Sequence, residues 1–231
     1  MNWEKFHNKF HKSWHRSMKP FIESNDCNKI YTFLKANKDK GTIVPSSMNT
    51  FRNFKNANLN KTRMALFFRE PYSDIEPDGI PLSCELSDKI SLPLNKFYNA
   101  MEKEFYGLSL DMIKDKNLDY YLRQDVFFHN VDVTVFKNKP GSHKDLWKNF
   151  TKHVIKILVK KNIPIMFIGE DVRDKYIKLI PPMYPEFFIK EDILNKDLVW
   201  NTNNKFKDIG KYIWDNTAYN EVMWVNMDVP Y

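Results

Sequence analysis

Short apolar runs alternate with segments of helical periodicity through the middle of this chain, and this alternation constrains the fold more than any other feature. The apolar runs are 63–68, 126–130 (continuing into 131–135) and 163–168, with a shorter candidate at Leu179-Ile180. The helical segments are 94–105, 146–161, 171–179 and 205–215. Strands that alternate with helices are typical of a mainly parallel sheet with both faces covered. We therefore predict an α/β fold.

The composition indicates the size of the core and the kind of partner. The chain has 231 residues, 42% of them hydrophobic and 15% aromatic, so it can bury a substantial core, and we expect one domain over 1–231. The 36 basic and 29 acidic residues give a net charge of +7. This excess suits a polyanionic partner, and it is equally compatible with a lysine-rich solvated surface.

The cysteines and the N-terminal segment bear on the compartment. Cys27 and Cys84 are far apart in the chain, which favours free thiols in a reducing environment over a disulfide framework. The N-terminus lacks an apolar signal core, and no apolar run approaches about 18 residues. We expect a soluble, intracellular protein without membrane contact, cytoplasmic or, in a eukaryote, nuclear.

Apolar residues spaced by three and four positions predict an amphipathic helix near the N-terminus. They are Trp3, Phe6, Phe10, Trp14 and Met18, and a second helix is expected over 28–36. His7, His11 and His15 would share one face of the first helix. Because no Cys, Asp or Glu completes a ligand set at matching spacing, a solvated face is favoured over a metal site.

The first apolar run ends in the loop Arg69-Glu70-Pro71-Tyr72-Ser73, where charge, a proline and an aromatic residue follow at once. In open α/β sheets, ligands and catalytic groups usually lie in the loops at the carboxyl ends of the strands. We therefore expect a functional site at this loop.

Several separated motifs resemble the uracil-DNA glycosylase family. The strongest is Gln124-Asp-Val-Phe-Phe-His-Asn130-Val-Asp-Val-Thr134-Val, where the family has Gln-Gly-Val-Leu-Leu-Leu-Asn and then x-x-Leu-Thr-Val. The other matches are Pro71-Tyr72, Gly79-Ile-Pro-Leu82-Ser83, Ser142-His143 and Trp147-Lys-Asn-Phe150-Thr. The resemblance covers nearly the whole chain. It implies a single domain with a central, mainly parallel four-stranded sheet that acts on DNA without a cofactor or metal.

The resemblance also implies a pocket for a uracil flipped out of the DNA stack. Asn130 matches the asparagine that reads the base, since an amide can accept from N3–H and donate to O4. Tyr72 matches the tyrosine that closes the pocket. The alternatives are a strand-end asparagine bonded to local backbone and an ordinary core tyrosine. Leu82 replaces a stacking phenylalanine, and such stacking contributes about 1–3 kcal/mol per base.

Two groups that the family uses for bond cleavage are changed. Glu70 replaces an aspartate, and a displacement of about 1 Å can cost about 100-fold in rate. Arg69 replaces a glutamine, and it could pair with Glu70 or contact a DNA phosphate. We expect the counterpart of the family's His-Pro-Ser-Pro-Leu motif at 182–188, with Tyr184 as the hydrogen-bond donor in place of the histidine. Losing such a donor typically costs about 100- to 1000-fold.

Some of the expected DNA contacts match those of the family, and others are changed. The residues at matching positions are Ser91 and Pro93 in the proline-rich loop, Ser142, and Gly169, which precedes Glu170. A carboxylate replaces a phosphate-donating serine at Glu170 and would repel phosphate. Phe187 or Phe188 could replace the leucine wedge that fills the emptied stack, or they could form a core or protein-interface pair.

These features leave three functions open. The preferred one is a divergent, catalytically impaired glycosylase homologue that binds DNA or uracil-containing DNA, because two catalytic groups are altered at once. The others are an active glycosylase that uses Glu70 and Tyr184, and a replication or transcription accessory factor that binds a protein partner. The divergence and the Asn/Lys-rich composition would suit a viral or phage protein.

Overall fold

The computed structural model describes residues 8–107, 114–195 and 200–225. The strands of its central sheet are β2 (Met64–Phe68), β3 (Val126–Asn130), β5 (Ile165–Ile168) and β6 (Phe187–Ile189). All four are parallel, in the spatial order β3-β2-β5-β6. The short strands β1 (Ile43–Val44) and β4 (Val135–Phe136) pair antiparallel in a separate ribbon. The predicted α/β fold with a parallel four-stranded sheet is confirmed.

Helices cover the sheet and connect its strands. They are α1 (His15–Ile22), α2 (Asn25–Asn37), α3 (Arg52–Asn56), α4 (Leu92–Tyr106), α5 (Asp119–Leu122), α6 (Lys148–Lys160), α7 (Glu170–Tyr176) and α8 (Lys205–Asn216). Single 3-10 turns lie at Lys12–Trp14 and Ile177–Leu179. Within the described ranges, no helix combines the length and apolar character needed to cross a membrane.

Strand β2 lies at the centre of two hydrophobic cores, one on each face of the sheet. Met64, Leu66 and Phe68 pack into the first core, which α4 and α8 cover. Ala65 and Phe67 pack into the second core, which α1 and α6 cover. Successive side chains of a strand point to opposite faces, so a strand buried on both sides reads as a continuous apolar run.

The N-terminal segment forms two helices separated by a capped turn. Trp14 and Met18 are fully buried, and the Trp14 indole donates to the Ala57 carbonyl oxygen at 2.9 Å. The Ser24 hydroxyl caps α2 by accepting from the Cys27 amide. The predicted positions Trp3, Phe6 and His7 lie outside the described residues. Cys27 and Cys84 are buried cysteines that do not form a disulfide.

The fourth strand lies later in the chain than predicted. Leu179 ends a 3-10 turn, and Leu179 and Ile180 pack against the second core without forming a strand. The proline-rich segment 181–185 therefore precedes β6, and Lys190 to Leu194 follow it. Two short apolar runs on either side of this segment are equally good strand candidates by pattern, so periodicity alone could not choose between them.

The parallel strands define two edges with different chemistry. In register, Phe68 pairs with Asn130, and Ile168 pairs with Ile189, so the residues after these strands meet at one edge. We call this the carboxyl edge; its segments are 69–73, 131–132, 169–171 and 190–194. The opposite, amino edge carries 60–63, 162–164 and 184–186.

Candidate active site

The carboxyl edge contains a small cavity lined by the residues predicted to bind a base. The lining includes Tyr72, Leu82 and Asn130, with Glu70 and Leu194 also contributing. Its volume is about 10 Å³, room for about one water molecule. A pyrimidine base is several times larger, so the cavity is closed in this state and has to open before a base can enter.

Asn130 has a buried hydrogen-bond acceptor without a donor. The residue ends β3 and is 8% exposed, and its Oδ1 atom is buried and makes no hydrogen bond. Leaving a buried polar atom unpaired costs about 1–3 kcal/mol, so an atom without a protein partner usually bonds to an ordered water or a ligand. An N–H donor that enters the cavity would supply that partner.

Tyr72 is fixed by its hydroxyl. This hydroxyl donates to the Leu82 carbonyl oxygen at 2.9 Å and lies 2.5 Å from the Ser91 Oγ atom. Burial raises the pKa of Tyr72, so the hydroxyl stays protonated. Ser91 in turn caps α4 by accepting from the Leu94 amide at 3.2 Å, with Pro93 in the first turn. The predicted pocket residues Tyr72 and Leu82 and the predicted loop residues Ser91 and Pro93 therefore form one connected unit.

Leu82 adopts a backbone conformation that is unusual for its residue type. Its φ is 66°, in the left-handed region that a branched side chain rarely occupies, and it is 4% exposed. Strain of this kind persists only where the surrounding structure holds it. The Tyr72 hydroxyl bond to the Leu82 carbonyl is one such restraint.

Both carboxylate oxygens of Glu70 are engaged. Oε2 accepts from the Gly141 backbone amide at 2.6 Å, and Oε1 lies 3.2 Å from the Arg69 guanidinium. Glu70 is 5% exposed and lies at the junction of three cavities, one of them the closed cavity. The predicted pairing of Arg69 with Glu70 is present in the structure. Each carboxylate oxygen keeps a second lone pair that can accept from a water, while these two partners fix the position of the Glu70 carboxylate.

Arg69 also pairs with a residue that the sequence analysis missed. Its Nη1 atom lies 2.8 Å from Oδ2 of Asp192, in the loop after β6. Burial raises the pKa of Asp192, while the Arg69 charge opposes that rise. Asp192 Oδ1 accepts from the amide of Leu194, which lines the closed cavity. The sequence analysis missed Asp192 because it placed the last strand at 179–180. The run Phe-Phe-Ile at 187–189, shortly before Asp192, is the sequence feature that could have indicated the strand.

Asp132 is a second carboxyl group that the sequence analysis did not single out. It is 4% exposed and lies 3.9 Å from the Lys175 ammonium. Burial raises the pKa of Asp132 to about 6, partly offset by Lys175 and reinforced by the negative charges of Glu70 and Asp145. Asp132 and Glu70 line the same cavity of about 450 Å³ on one side of the site.

The structure places Tyr184 at the amino edge, so its predicted catalytic role is wrong. Tyr184 precedes β6, and its hydroxyl donates to Asn162 Oδ1. It lines an open groove of about 720 Å³ together with Arg63 and Lys161. The length of the sheet separates this groove from Glu70, because the loop before a parallel strand and the loop after it lie at opposite edges.

Phe187 and Phe188 cannot form the predicted DNA wedge, because both lie within strand β6. Phe187 is 6% exposed and packs edge-on against Tyr212, while the Arg173 guanidinium lies over the Phe188 ring. Phe187 therefore fits the alternative interpretation, in which the phenylalanine is a core residue. A wedge has to project from a loop, and residues 196–199, which follow the carboxyl-edge segment, are not described.

Of two predicted phosphate contacts, the Gly169 amide is engaged within the protein, whereas the Ser142 hydroxyl accepts one hydrogen bond there and keeps its own O–H to donate. The Ser142 hydroxyl accepts from the Phe136 amide at 2.7 Å. The Gly169 amide donates to the Ile189 carbonyl at 2.8 Å, and the Glu170 amide donates to Lys190 at 3.0 Å. Gly169 has a φ of 101°, and an added Cβ would lie 3.0 Å from Asp171 Oδ1. Gly169 lets the backbone approach Asp192 closely, and its amide is not free to bind phosphate.

Histidine does not line the closed cavity within the described ranges. His129 and His143 are buried in other surroundings, and burial lowers the pKa of His129 to about 3. The His143 Nδ1 atom lies 2.8 Å from the Thr134 hydroxyl, which also accepts from the Trp147 indole. These matched motif residues therefore form a structural cluster.

Curated proteins named uracil-DNA glycosylase are similar to this chain in sequence. The one from Borreliella burgdorferi (strain ZS7) is 30% identical over 173 residues, which cover 72% of this chain and 76% of that protein. The one from Streptococcus equi subsp. zooepidemicus is 26% identical over 178 residues, covering 75% and 80%. No family model matches the chain.

Solved structures show the same fold. The crystal structure of mimivirus uracil-DNA glycosylase has a TM-score of 0.78 at 16% identity and covers 97% of this chain and 89% of that one. A mimivirus UNG variant in complex with UGI has a TM-score of 0.79 at 17% identity, covering 97% and 91%.

The shared fold and the sequence similarity together define a homologue of DNA glycosylases. Within that class, the chain belongs to the uracil-DNA glycosylase family.

Proposed function

We propose that the protein binds uracil-containing DNA and hydrolyses the N-glycosidic bond of the uracil at a reduced rate. The substrate approaches the carboxyl edge, and the flipped base enters the closed cavity after it opens. Asn130 reads the base, Tyr72 and Leu82 enclose it, and Glu70 supports the sugar cation and the attacking water.

The proposal rests on one observation: the Oδ1 atom of Asn130, which lines the closed cavity, accepts no hydrogen bond from the described part of the protein. Uracil offers a donor, N3–H, next to an acceptor, O4, and an amide side chain complements both. Thymine offers the same edge, and its extra methyl group is what Tyr72 would exclude.

The reduced rate follows from the engagement of Glu70. Its oxygens are held by Gly141 and Arg69, and its side chain is longer by one methylene than the aspartate of related sites. Opening the cavity costs free energy before chemistry begins, and so does any shift of the Glu70 carboxylate away from these two partners. Each 1.4 kcal/mol of such cost lowers the rate about tenfold.

A direct test uses single-stranded and duplex oligonucleotides with one uracil, excess protein and alkaline cleavage of abasic sites. We expect cleavage over minutes to hours. The cleavage rate of Asn130→Ala should be at least about tenfold lower, because the buried amide that hydrogen-bonds the base is lost. Lys161→Ala, at the amino edge, serves as the matched control and should cleave at the wild-type rate. Absence of cleavage at any protein excess would contradict the proposed hydrolysis.

The engagement of both Glu70 oxygens also favours a second function, recognition of uracil in DNA without excision. This function predicts no cleavage but a gel-shift preference for uracil over thymine that Asn130→Ala abolishes. Equal binding of uracil and thymine duplexes, with no cleavage of either, would contradict both functions.

A further inference from the structure

We propose that Asp132 works with Glu70 as a second carboxylate of the site: it takes the proton that Glu70 accepts from the attacking water, through water in the cavity that both side chains line. Asp132 acts through Glu70 and touches no part of the substrate. Because this role rests on the proposed hydrolysis, it assigns the path of the proton that the hydrolysis releases. It also gives a function to a buried carboxylate oxygen that has no hydrogen-bond partner among the described residues.

Glu70 and Asp132 line one cavity of about 450 Å³ at the carboxyl edge. Glu70 also lines the closed cavity proposed to take the base, whereas Asp132 does not. The backbones of the two loops are adjacent, because the Asp132 amide donates to the Arg69 carbonyl oxygen at 2.9 Å. The larger cavity has room for a chain of water molecules, each of which occupies about 30 Å³ in the liquid. Glu70 therefore links the closed cavity to a space that water can fill and that Asp132 shares.

The Asp132 carboxylate is buried but incompletely paired. It is 4% exposed, and its Oδ1 atom makes no hydrogen bond within the described ranges. The Lys175 ammonium lies 3.9 Å from that atom, beyond hydrogen-bond distance, and lies only 2.7 Å from Asp145. Buried polar atoms usually have a partner, and an ordered water is the partner that this cavity can supply. The same water can deliver a proton to Oδ1.

The charges around Asp132 allow it to bind and release a proton near neutral pH. Burial raises the pKa of Asp132 to about 6, and the Lys175 charge opposes the rise. The negative charges of Glu70 and Asp145 add to it. The other charged or titratable groups that line the cavity or act on Asp132 are Arg69, Lys144, Asp171 and Tyr176. A carboxyl group that titrates close to the operating pH is suited to proton transfer.

The proton has to leave Glu70 before the reaction is complete. The bond between C1′ and N1 breaks, and its electron pair leaves with the uracil anion, while the water oxygen bonds to C1′. One water proton passes to Glu70 and then along water to Asp132, which releases it to solvent; the uracil anion takes a proton from solvent. A proton that stays on Glu70 can return to the sugar oxygen, whereas transfer to Asp132 commits the step.

Ionised Asp132 lowers the stability of the fold, which argues against a purely structural role. A buried carboxyl group with a raised pKa destabilises the folded protein once the pH exceeds that pKa. Groups with such shifted pKa values cluster at functional sites. Asp132→Asn should therefore be at least as stable as the wild type at neutral pH, and a loss of activity in this variant cannot be attributed to unfolding.

The discriminating experiment measures the single-turnover cleavage rate of a uracil oligonucleotide at saturating protein from pH 5 to pH 8. We expect the wild-type rate to exceed that of Asp132→Asn by about 100-fold at pH 8, within the range of general-base catalysis. The ratio of the two rates should fall to about tenfold at pH 5, because only about a tenth of Asp132 is ionised there. Taking the ratio cancels the titration of the groups that both proteins share.

Two further variants serve as the rescue and the control. Asp132→Glu keeps a carboxylate in the cavity and should recover at least about tenfold of the lost rate at pH 8. Asp125→Asn removes a half-buried carboxylate from the amino edge, where the Asp125 carbonyl accepts from the Arg63 amide, and burial raises the pKa of Asp125 too. Asp125 has a φ of 61°, which asparagine tolerates, so this variant should cleave at the wild-type rate at every pH.

The possible results distinguish the role of Asp132 from hydrolysis itself. An unchanged rate in Asp132→Asn, or a rate ratio that stays constant with pH, would overturn the proton path and leave hydrolysis intact. An equal loss in Asp125→Asn, or an Asp132→Glu rate that follows Asp132→Asn at every pH, would do the same. If the wild-type protein cleaves at no pH, the proposed hydrolysis and the proton path both fail.

Discussion

Asp132 is a buried carboxyl group whose titration should be visible in the stability of the protein. Its pKa in the folded protein, about 6, lies above the value of 3.8 for an unperturbed aspartate, because burial disfavours the charged form. The stability that Asp132 contributes to the folded protein is fully present below about pH 4 and is lost as the pH rises through about 6. The shift corresponds to about 3 kcal/mol.

Asp132→Asn should therefore gain stability relative to the wild type between about pH 4 and 7, by up to about 3 kcal/mol in urea unfolding. Asp145→Asn is the matched control, and its effect on the pH dependence of stability should have the opposite sign. The Lys175 hydrogen bond lowers the pKa of Asp145, so its contribution is lost as the pH falls. A difference curve for Asp132→Asn that stays flat with pH would contradict the buried, proton-binding state.

Strand β6 determines which residues lie at the site, and two variants test its placement. Tyr184 precedes the strand and Asp192 follows it, so Tyr184→Phe should leave uracil excision unchanged while Asp192→Asn lowers it. The measurement is the single-turnover cleavage rate. A large loss in Tyr184→Phe alone would mean that segment 182–188 reaches the carboxyl edge after all.

The loop between β2 and α4 depends on one glycine. Gly79 has a φ of 90°, and a Cβ there would lie 1.8 Å from the Asn49 carbonyl oxygen, an impossible contact with backbone. Gly107, at the end of α4, has a φ of 74° but open space around it. We expect Gly79→Ala to cost about 3 kcal/mol or more in unfolding free energy and Gly107→Ala about 1–2 kcal/mol. Equal losses would show that the Asn49 contact relaxes freely.

The sequence was sufficient for elements with long or strongly patterned runs. Strand β3 has the predicted bounds, and α4, α6 and α8 match within two residues at each end, because their burial patterns are repeated over several turns or a full strand. It failed at β6, a strand of three residues that pattern cannot separate from Leu179-Ile180. Glu70 could be found because it follows a clear strand, and Asn130 because it ends a strand motif that resembles the uracil-DNA glycosylase family, whereas Asp192 follows the short strand.

Across the whole molecule, the two edges of the sheet offer different surfaces to a polyanion. At the carboxyl edge, exposed Lys89 and Lys144 line two different cavities that adjoin Glu70, of about 590 and 450 Å³. At the amino edge, Lys161 bonds to Asn60 beside the groove that holds Tyr184. If DNA lies over the carboxyl edge, only the first two lysines approach its phosphates.

Removing each of these charges should therefore have different effects on DNA binding. A lysine bound to phosphate releases condensed counterions, so its loss weakens binding to any sequence and reduces the salt slope by about 1. We expect this for Lys89→Ala and for Lys144→Ala in titrations of duplex DNA across a salt series. Lys161→Ala removes the same charge from the net of +7 and should leave the slope unchanged. An equal change in all three slopes would mean that net charge alone attracts DNA, and the carboxyl edge would lose its assignment as the DNA-binding surface.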